Sequence, residues 1–213
     1  MMYKMFDEIL VNARDNISRG KTTKINICID PTGFCITNNG KSIPITMNKE
    51  EKMWNPTLAF GYLRTSNNYD DSVERLTGGR NGYGAKLTNI FSKEFSVVIN
   101  DTRKNKRFTQ VWKNNMKETE PAEISKRVNN DCTFISCKID FSRFNCTRIP
   151  HDTMNMMIQR VHDVAVCSKV QITLMVNDGP WNIYPDIDTY LHRLYMNREG
   201  SFYNTIFKQE NKR

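Results

Sequence analysis

Three polar residues in the N-terminal segment recur at intervals of four: Glu8, Asn12 and Asn16. In a helix this spacing stacks side chains on one face. A carboxylate accepts a proton from water, whereas a carboxamide lends its carbonyl oxygen to Mg²⁺ without adding negative charge. Glu8 is therefore a candidate general base and Asn12 a candidate metal ligand. The alternative is the polar face of an ordinary surface helix, since Asp7 and Asp15 are polar too.

A second candidate site is the glycine-rich segment TGGRNGYGAK, residues 77–86. A glycine-rich turn at the start of a helix presents free backbone N–H groups to phosphate oxygens. The segment matches neither the Walker A pattern nor the dinucleotide-binding pattern. Lys86 and Arg80 are candidate phosphate contacts. The alternatives are a plain junction between a loop and a helix and, for Lys86, an ordinary surface lysine.

Periodicity predicts the elements that must position these residues. Apolar residues at three-and-four spacing predict a helix from Met2 to Ser18, ended by Gly20. Alternation and turn residues predict a hairpin of residues 24–30 and 34–38, and Pro56 opens a short helix at 56–63. Residues 65–80 have no periodicity, as in a loop that closes over a ligand. A helix from about Gly82 to Phe91 follows.

The second half alternates between strand and helix patterns. We predict strands at FSVVIN, KRFTQVWK and CTFISCKID, with a turn at Asn100-Asp101 between the first two. We also predict a helix near 151–166, a hairpin around Asn177-Asp178-Gly179 and a last helix near 187–196. No repeat, low-complexity tract or linker interrupts the chain, which predicts one compact unit.

Composition is ordinary for a globular protein, and the charge is basic. Of the 213 residues, 38% are hydrophobic, 10% aromatic and 25% charged, and the formal net charge is +8. A polyanion such as DNA, RNA or a nucleotide phosphate is a reasonable partner, although a basic solvated surface is the alternative. No apolar run approaches the roughly 18 residues that span a membrane, so we expect no membrane partner.

The six cysteines favour reduced thiols. No pair is spaced as C-x-x-C, which excludes the usual zinc and thioredoxin-like motifs. Several lie in apolar strand-like runs, so we expect reduced thiols in the core and an intracellular protein.

Four motifs in order resemble the ATPase region of type II DNA topoisomerases of the eukaryotic and large-DNA-virus type. They are DEILVNARDN, ITNNGKSIP, LRTSNNYDD and TGGRNGYGAKLTNIFS. Weaker similarity through VWKNNM, TFISCKIDFSRF and RVHDVAV extends the resemblance over nearly the whole chain. That family belongs to the superfamily of gyrase, heat-shock chaperone, histidine kinase and mismatch-repair ATPases, and the GGRNGYGAKL stretch is specific to topoisomerases within it.

The resemblance implies an α+β fold, a two-layer α/β sandwich with a mostly antiparallel mixed sheet and helices on one face. ATP would lie in the helical layer under a lid. By position, Glu8 looks like the general base that activates water, Asn12 looks like the Mg²⁺ ligand, and Asn16 would support the pocket from the next turn. ATP and Mg²⁺ are thus the implied cofactors.

The resemblance also implies further contacts with the nucleotide. Asn38 would accept a hydrogen bond from the exocyclic amine of adenine, and Ile43 with Pro44 would wall the base. The remaining positions would contact ribose and phosphates or form the phosphate-wrapping lid: Ser66, Asn67, Asn68, Gly79, Arg80, Asn81, Gly82, Tyr83, Gly84, Ala85 and Lys86. Two positions depart from the family pattern. Ser42 stands where the family has a second glycine, which predicts a backbone less free to approach the base, and Asn67 replaces a serine.

The family pattern further implies parts that we expect to be absent from residues 1–213. They are an N-terminal arm exchanged between subunits, a transducer domain whose lysine completes the γ-phosphate site, and the DNA-cleavage regions. The chain is thus expected to be a single ATP-binding domain of a DNA strand-passage enzyme, dimeric in the full enzyme and monomeric alone, acting in the nucleus or at a viral replication site. The alternative function is a stand-alone ATP-binding regulatory module with little turnover.

Overall fold

The structure is a computed structural model that describes residues 1–62, 83–126, 128–176, 179–183, 186–188 and 190–191. The α-helices assigned in these residues are α1 (Met2–Gly20), α2 (Asn55–Gly61), α3 (Gly84–Ile90) and α4 (His151–Ser168), and a short 3-10 helix covers Phe141–Phe144. The strands are β1 (Lys24–Asp30), β2 (Gly33–Asn39), β3 (Ser92–Asp101), β4 (Lys106–Lys113), β5 (Glu118–Thr119), β6 (Glu123–Lys126), β7 (Cys132–Ile139), β8 (Gln171–Val176) and β9 (Gly179–Ile183).

These strands form one mixed sheet. Its order is β5-β4-β3-β7-β2-β1-β8-β9, and β6 pairs with β4 beside this path. The pairing of β1 with β8 is parallel, whereas the other described pairings are antiparallel. Ile27 in β1, for example, lies opposite Ile36 in β2 and Leu174 in β8, and all three are buried. The predicted mostly antiparallel mixed sheet is confirmed.

The core lies between the sheet and the helices. Alternate residues of the strands point into it, as Ile25, Ile27 and Ile29 do in β1, where each is at most 2% exposed. The apolar stripe of α1 and the buried positions of α4 belong to the same cluster. Burying one face of a sheet under helices removes both apolar surfaces from water, which drives this two-layer arrangement.

The first helix and hairpin follow the predicted boundaries closely. Helix α1 continues through Gly20, and Lys21 ends it in the left-handed conformation with φ 57°. The turn between β1 and β2 is held by the carboxylate of Asp30, whose Oδ1 accepts hydrogen bonds from the backbone N–H groups of Thr32 (2.6 Å) and Gly33 (3.1 Å).

Two sequence-based boundaries need correction, and two predicted segments fall wholly or mostly outside the described residues. Strand β3 extends through Asp101, so the predicted turn at Asn100-Asp101 is wrong and lies instead at residues 102–105. Helix α3 begins at Gly84 rather than about Gly82. The loop at 65–80 and most of the helix near 187–196 lie outside the described residues. The short strands β5 and β6 carry no long alternating pattern, so they were not predicted from the sequence.

The cysteines are unpaired, and one of them, Cys137, is buried. Four others are half-buried and Cys167 is exposed, so the expectation of core thiols is correct for Cys137 alone. Among the described residues, no helix combines the length and the hydropathy that crossing a bilayer requires.

Candidate functional site

The polar row of α1 lies beside the buried stripe of the same helix. The side chain of Glu8 is 30% exposed, Asn12 is exposed and Asn16 is half-buried. Phe6, Ile9 and the other stripe residues are buried under the sheet. Helical periodicity therefore places the row on one face of α1, and its exposed part is open to a ligand.

Lys4 holds the carboxylate of Glu8 from one turn earlier in α1. Its Nζ lies 2.9 Å from Oε1 of Glu8 and 3.3 Å from Oδ2 of Asp7. The hydrogen bond to Glu8 raises the pKa of Lys4 above its ordinary value. Oε1 of Glu8 is thus engaged by an ammonium group.

Gly84, the first residue of α3, lies directly against the other oxygen of Glu8. A methyl group built on Gly84 would be 1.9 Å from Oε2 and 2.5 Å from Cδ of Glu8. Gly84 does not have a positive φ, since Gly40 is the one glycine in the described residues that does. A side chain at position 84 would displace the carboxylate of Glu8 from this position. The contact brings the candidate base to the end of the glycine-rich segment.

Two side chains fasten α3 to its neighbours. Oγ1 of Thr88 donates to the backbone oxygens of Met5 (3.2 Å) and Gly84 (3.0 Å), which ties α3 to α1. Nδ2 of Asn89 donates to the backbone oxygen of Phe60 at 3.2 Å, which ties α3 to α2. These contacts bury α3 and fix its first turn beside Glu8.

Lys86 is buried in α3, so the surface-lysine alternative is wrong. It is 1% exposed, and burial lowers its pKa to about 8. An ammonium at such a position costs desolvation energy, which a phosphate oxygen arriving beside it would offset.

Asn16 and Asn38, predicted on separate elements, meet at the hydroxyl of Thr22. Nδ2 of Asn16 donates to Oγ1 of Thr22 at 3.0 Å, and Nδ2 of Asn38 donates to the same oxygen at 3.3 Å. Nδ2 of Asn38 also donates to the backbone oxygen of Asn39 at 2.9 Å. Because both contacts of Asn38 use Nδ2, Oδ1 is the atom of this amide left to accept a hydrogen bond. Thr22 itself was missed by the sequence analysis.

The end of β2 approaches the end of α1 very closely at Gly40. Its φ is +92°, and a methyl group on it would lie 2.6 Å from the backbone oxygen of Gly20 and 2.8 Å from the backbone nitrogen of Thr22. The backbone N–H of Lys41 donates to the same oxygen of Gly20 at 2.7 Å. Glycine is required here by both backbone conformation and space.

The loop after Gly40 is hydrogen-bonded to β3 through Ser42, which gives this serine a structural role. Oγ of Ser42 donates to the backbone oxygen of Asn100 at 2.9 Å, and Ser42 does not have a positive φ. A serine is thus accommodated at this position by a backbone that any residue adopts. Ile43, next in the loop, is half-buried against the core, and Pro44 is exposed.

Asp101 and Arg103 also hold this loop, and neither residue was predicted from the sequence. Asp101 is 0% exposed, and its carboxylate accepts hydrogen bonds from the backbone N–H of Ile45 (3.1 Å) and from Nε of Arg103 (2.9 Å). Nη2 of Arg103 donates to the backbone oxygen of Ser42 at 2.8 Å. A buried carboxylate with these partners holds residues 42–45 in place.

Asp7 has a structural role that the sequence analysis missed, because it was interpreted as part of a generally polar surface. It is buried, and its Oδ1 accepts a hydrogen bond from Nε of Arg160 in α4 at 2.8 Å. The pair joins α1 to α4 and fixes the helix that carries Glu8.

Several predicted site residues fall outside the described residues: Ser66, Asn67, Asn68, Gly79, Arg80, Asn81 and Gly82. Tyr83 is half-buried just before α3, and Ala85 is 8% exposed within it. In the described part of the chain, no group of three or more His, Cys, Asp and Glu side chains could hold a metal ion.

Comparison with known proteins identifies close relatives. The chain is 46% identical over 171 residues to DNA topoisomerase 2 of Drosophila melanogaster, covering 79% of this chain and 12% of the relative. It is 41% identical over 217 residues to DNA topoisomerase 2-alpha of Homo sapiens, covering 100% of this chain and 14% of the relative. No protein-family model matches the chain.

Solved structures agree with these relatives. The ATPase region of Saccharomyces cerevisiae topoisomerase II matches with a TM-score of 0.83 at 36% identity, covering 92% of this chain and 52% of that one. The ATPase and transducer domains of DNA topoisomerase II from Balamuthia mandrillaris match with a TM-score of 0.81 at 39% identity, covering 89% and 50%. The chain thus spans a small part of the curated relatives and about half of the solved chains. It is homologous over most of its length to type II DNA topoisomerases and has the fold of their ATPase region.

Proposed function

We propose that this chain binds ATP with Mg²⁺ and is the ATP-hydrolysing domain of a type II DNA topoisomerase. The observation that carries the proposal is the contact between Glu8 and Gly84. It joins a carboxylate on α1 to the end of the glycine-rich segment, so a base and a phosphate-binding loop meet at one place.

The adenine end of the nucleotide is assigned to Asn38. Its Nδ2 is engaged by Thr22 and Asn39, so Oδ1 accepts a hydrogen bond from the exocyclic amine. The loop held by Asp101 and Arg103 presents Ile43 as a wall for the base.

The phosphate end is assigned to α1, α3 and the glycine-rich segment. Asn12 is exposed one turn beyond Glu8, and its carbonyl oxygen would hold Mg²⁺. Mg²⁺ bound there supplies positive charge that neutralises phosphate oxygens. Lys86 is assigned to the phosphates and Asn16 to support of the pocket. The resemblance assigns Ser66, Asn67, Asn68 and residues 79–86 to the ribose and phosphates, and of these the positions up to Gly82 lie outside the described residues.

Hydrolysis is assigned to Glu8 as general base. Glu8 accepts a proton from water as the water oxygen bonds to the γ-phosphorus, and the bond to the bridging oxygen breaks to leave ADP and phosphate. Lys4 holds Oε1 and Gly84 packs on Oε2, so the carboxylate keeps a fixed orientation.

In the full enzyme, we propose that ATP closes two copies of this domain around DNA and that hydrolysis resets them. DNA is thus the partner of the full enzyme, and the compartment is one where DNA is handled, the nucleus or a viral replication site. The homology to topoisomerases and the basic charge of +8 support this role.

Calorimetry with ATP and a non-hydrolysable analogue in the presence of Mg²⁺ tests nucleotide binding. We expect ATP to bind and GTP to bind at least about tenfold more weakly, because the guanine oxygen cannot donate to Oδ1 of Asn38. Asn38→Ala should lose this preference. Asn26→Ala, the same substitution at an exposed position of the same hairpin, is the matched control and should keep it. A folded chain without detectable binding at millimolar nucleotide would overturn the proposal.

A further inference from the structure

Two cysteines face each other on the side of the sheet that the helices do not cover. Cys28 in β1 and Cys35 in β2 are directly opposite in the antiparallel register. Both are half-buried, whereas their strand neighbours Ile27, Ile29 and Ile36 are buried in the core. The thiols therefore point away from the nucleotide site and towards the outer face.

The distance between opposite residues in an antiparallel pair suits a disulfide. Such Cα atoms lie about 4.5–5.5 Å apart, and disulfides span about 4.4–6.8 Å. The two thiols also interact electrostatically. Burial is the main cause that raises the pKa of Cys35 to about 11, and the neighbouring Cys28 thiol is the second. The two sulfur atoms are thus neighbours before any bond forms.

We propose that Cys28 and Cys35 form a redox modification site, a reversible disulfide across the β1–β2 hairpin. The chain has no C-x-x-C motif, so this pair is created by strand register alone. Asp30, Thr32 and Gly33 hold the turn between the strands, so the thiols stay opposite each other.

The reaction proceeds by exchange with an oxidised small-molecule disulfide such as oxidised glutathione. The Cys28 thiolate attacks one sulfur of glutathione disulfide, forms a mixed disulfide and releases one glutathione thiolate. The Cys35 thiolate then attacks the Cys28 sulfur and releases the second glutathione. Two protein thiols become one disulfide, and one glutathione disulfide becomes two thiols.

Deprotonation of Cys35 controls the closing step. Burial raises the pKa of Cys35, which leaves little of its thiolate at neutral pH. The closing step should therefore become faster as the pH is raised.

Tryptic mapping tests the proposal directly, because cleavage after Lys24 and Lys41 releases residues 25–41 with both cysteines in one peptide. The chain is incubated with oxidised glutathione, the remaining thiols are alkylated, and the mass of the tryptic peptide is measured by mass spectrometry. We expect the peptide to lose two hydrogen atoms and to take up no alkylating reagent. Dithiothreitol should restore both alkylation sites.

Single variants show whether the disulfide forms between Cys28 and Cys35 or involves another cysteine. Cys28→Ser and Cys35→Ser should each abolish the peptide with the internal disulfide. Cys167→Ser, at an exposed position outside the pair, should leave that peptide unchanged. The oxidised parent should also unfold a few degrees higher than the reduced one, and the two single variants should not. A peptide that keeps two alkylatable thiols, or that stops at the mixed disulfide, would overturn the proposal.

Discussion

At the scale of single residues, Glu8 is held by Lys4 and Gly84, and its assigned role as general base can be tested by substitution. Glu8→Gln keeps the shape of the side chain and its contact with Lys4 but cannot accept a proton from water. We expect nucleotide affinity to change by less than about threefold and hydrolysis in the full enzyme to fall by about 10²–10⁴. Calorimetry and phosphate release measure the two effects. Hydrolysis at the parent rate would show that another group activates the water.

Asn12 gives the contrasting residue-scale result, and it serves as the control for Glu8. Asn12→Ala should weaken nucleotide binding only when Mg²⁺ is present, because its carbonyl oxygen is assigned to the metal. An equal loss of affinity with and without Mg²⁺ would contradict that assignment.

The burial of Lys86 predicts a pH dependence of nucleotide binding. With a pKa of about 8, it is largely protonated near pH 7 and loses its charge as the pH rises above 8. A phosphate beside it favours the ammonium form, so nucleotide binding at about pH 8.5 should take up a proton, and affinity should fall as the pH rises. Calorimetry in two buffers of different ionisation enthalpy measures the uptake. Lys86→Arg stays charged and should abolish it, whereas a parent chain without uptake would exclude Lys86 from the phosphates.

At the scale of elements, the junction of α1 and α3 depends on Gly84. Alanine has the higher helix propensity, by about 1 kcal/mol, so propensity alone predicts that Gly84→Ala stabilises α3. The contact with Glu8 predicts the opposite, a loss of about 1–3 kcal/mol in the free energy of unfolding together with a loss of hydrolysis. Urea denaturation gives the sign of the change.

A double-mutant cycle attributes that loss to Glu8. In a Glu8→Ala background, Oε2 and Cδ are gone while Cβ of residue 8, at 2.9 Å, remains, so the cost of Gly84→Ala should shrink. A cost that is unchanged in this background would mean that Gly84 is required for another reason, such as approach to the nucleotide.

At the scale of the whole molecule, residues 1–213 expressed alone should hydrolyse ATP very slowly and remain monomeric. We propose that the cation that stabilises charge on the transferring phosphoryl group comes from outside residues 1–213, and loss of such a cation costs roughly 10³-fold or more in rate. The closed nucleotide site by itself offers too little apolar surface for a stable interface. Light scattering with and without a nucleotide analogue, beside a phosphate-release assay, tests both parts. Brisk turnover by a monomer would mean that this chain carries its own γ-phosphate cation.

The sequence by itself determined what depends on neighbours along the chain. The row of Glu8, Asn12 and Asn16 follows from helical period, and the β1–β2 hairpin follows from alternation and turn residues. The order of motifs was sufficient to identify the family resemblance, which the homologous proteins confirm. These features are local, so a linear pattern encodes them.

Only the tertiary structure decided which distant residues meet. Asp7 pairs with Arg160 across 153 positions, Ser42 is fastened to β3, and Gly84 packs on Glu8. Each contact depends on how helices and strands pack around one core, and neither periodicity nor composition specifies that packing. This is why Asp7 resembled a surface residue and Lys86 had a surface alternative until the fold buried both. It is also why the contact of half-buried Gly84 with Glu8 was not predicted.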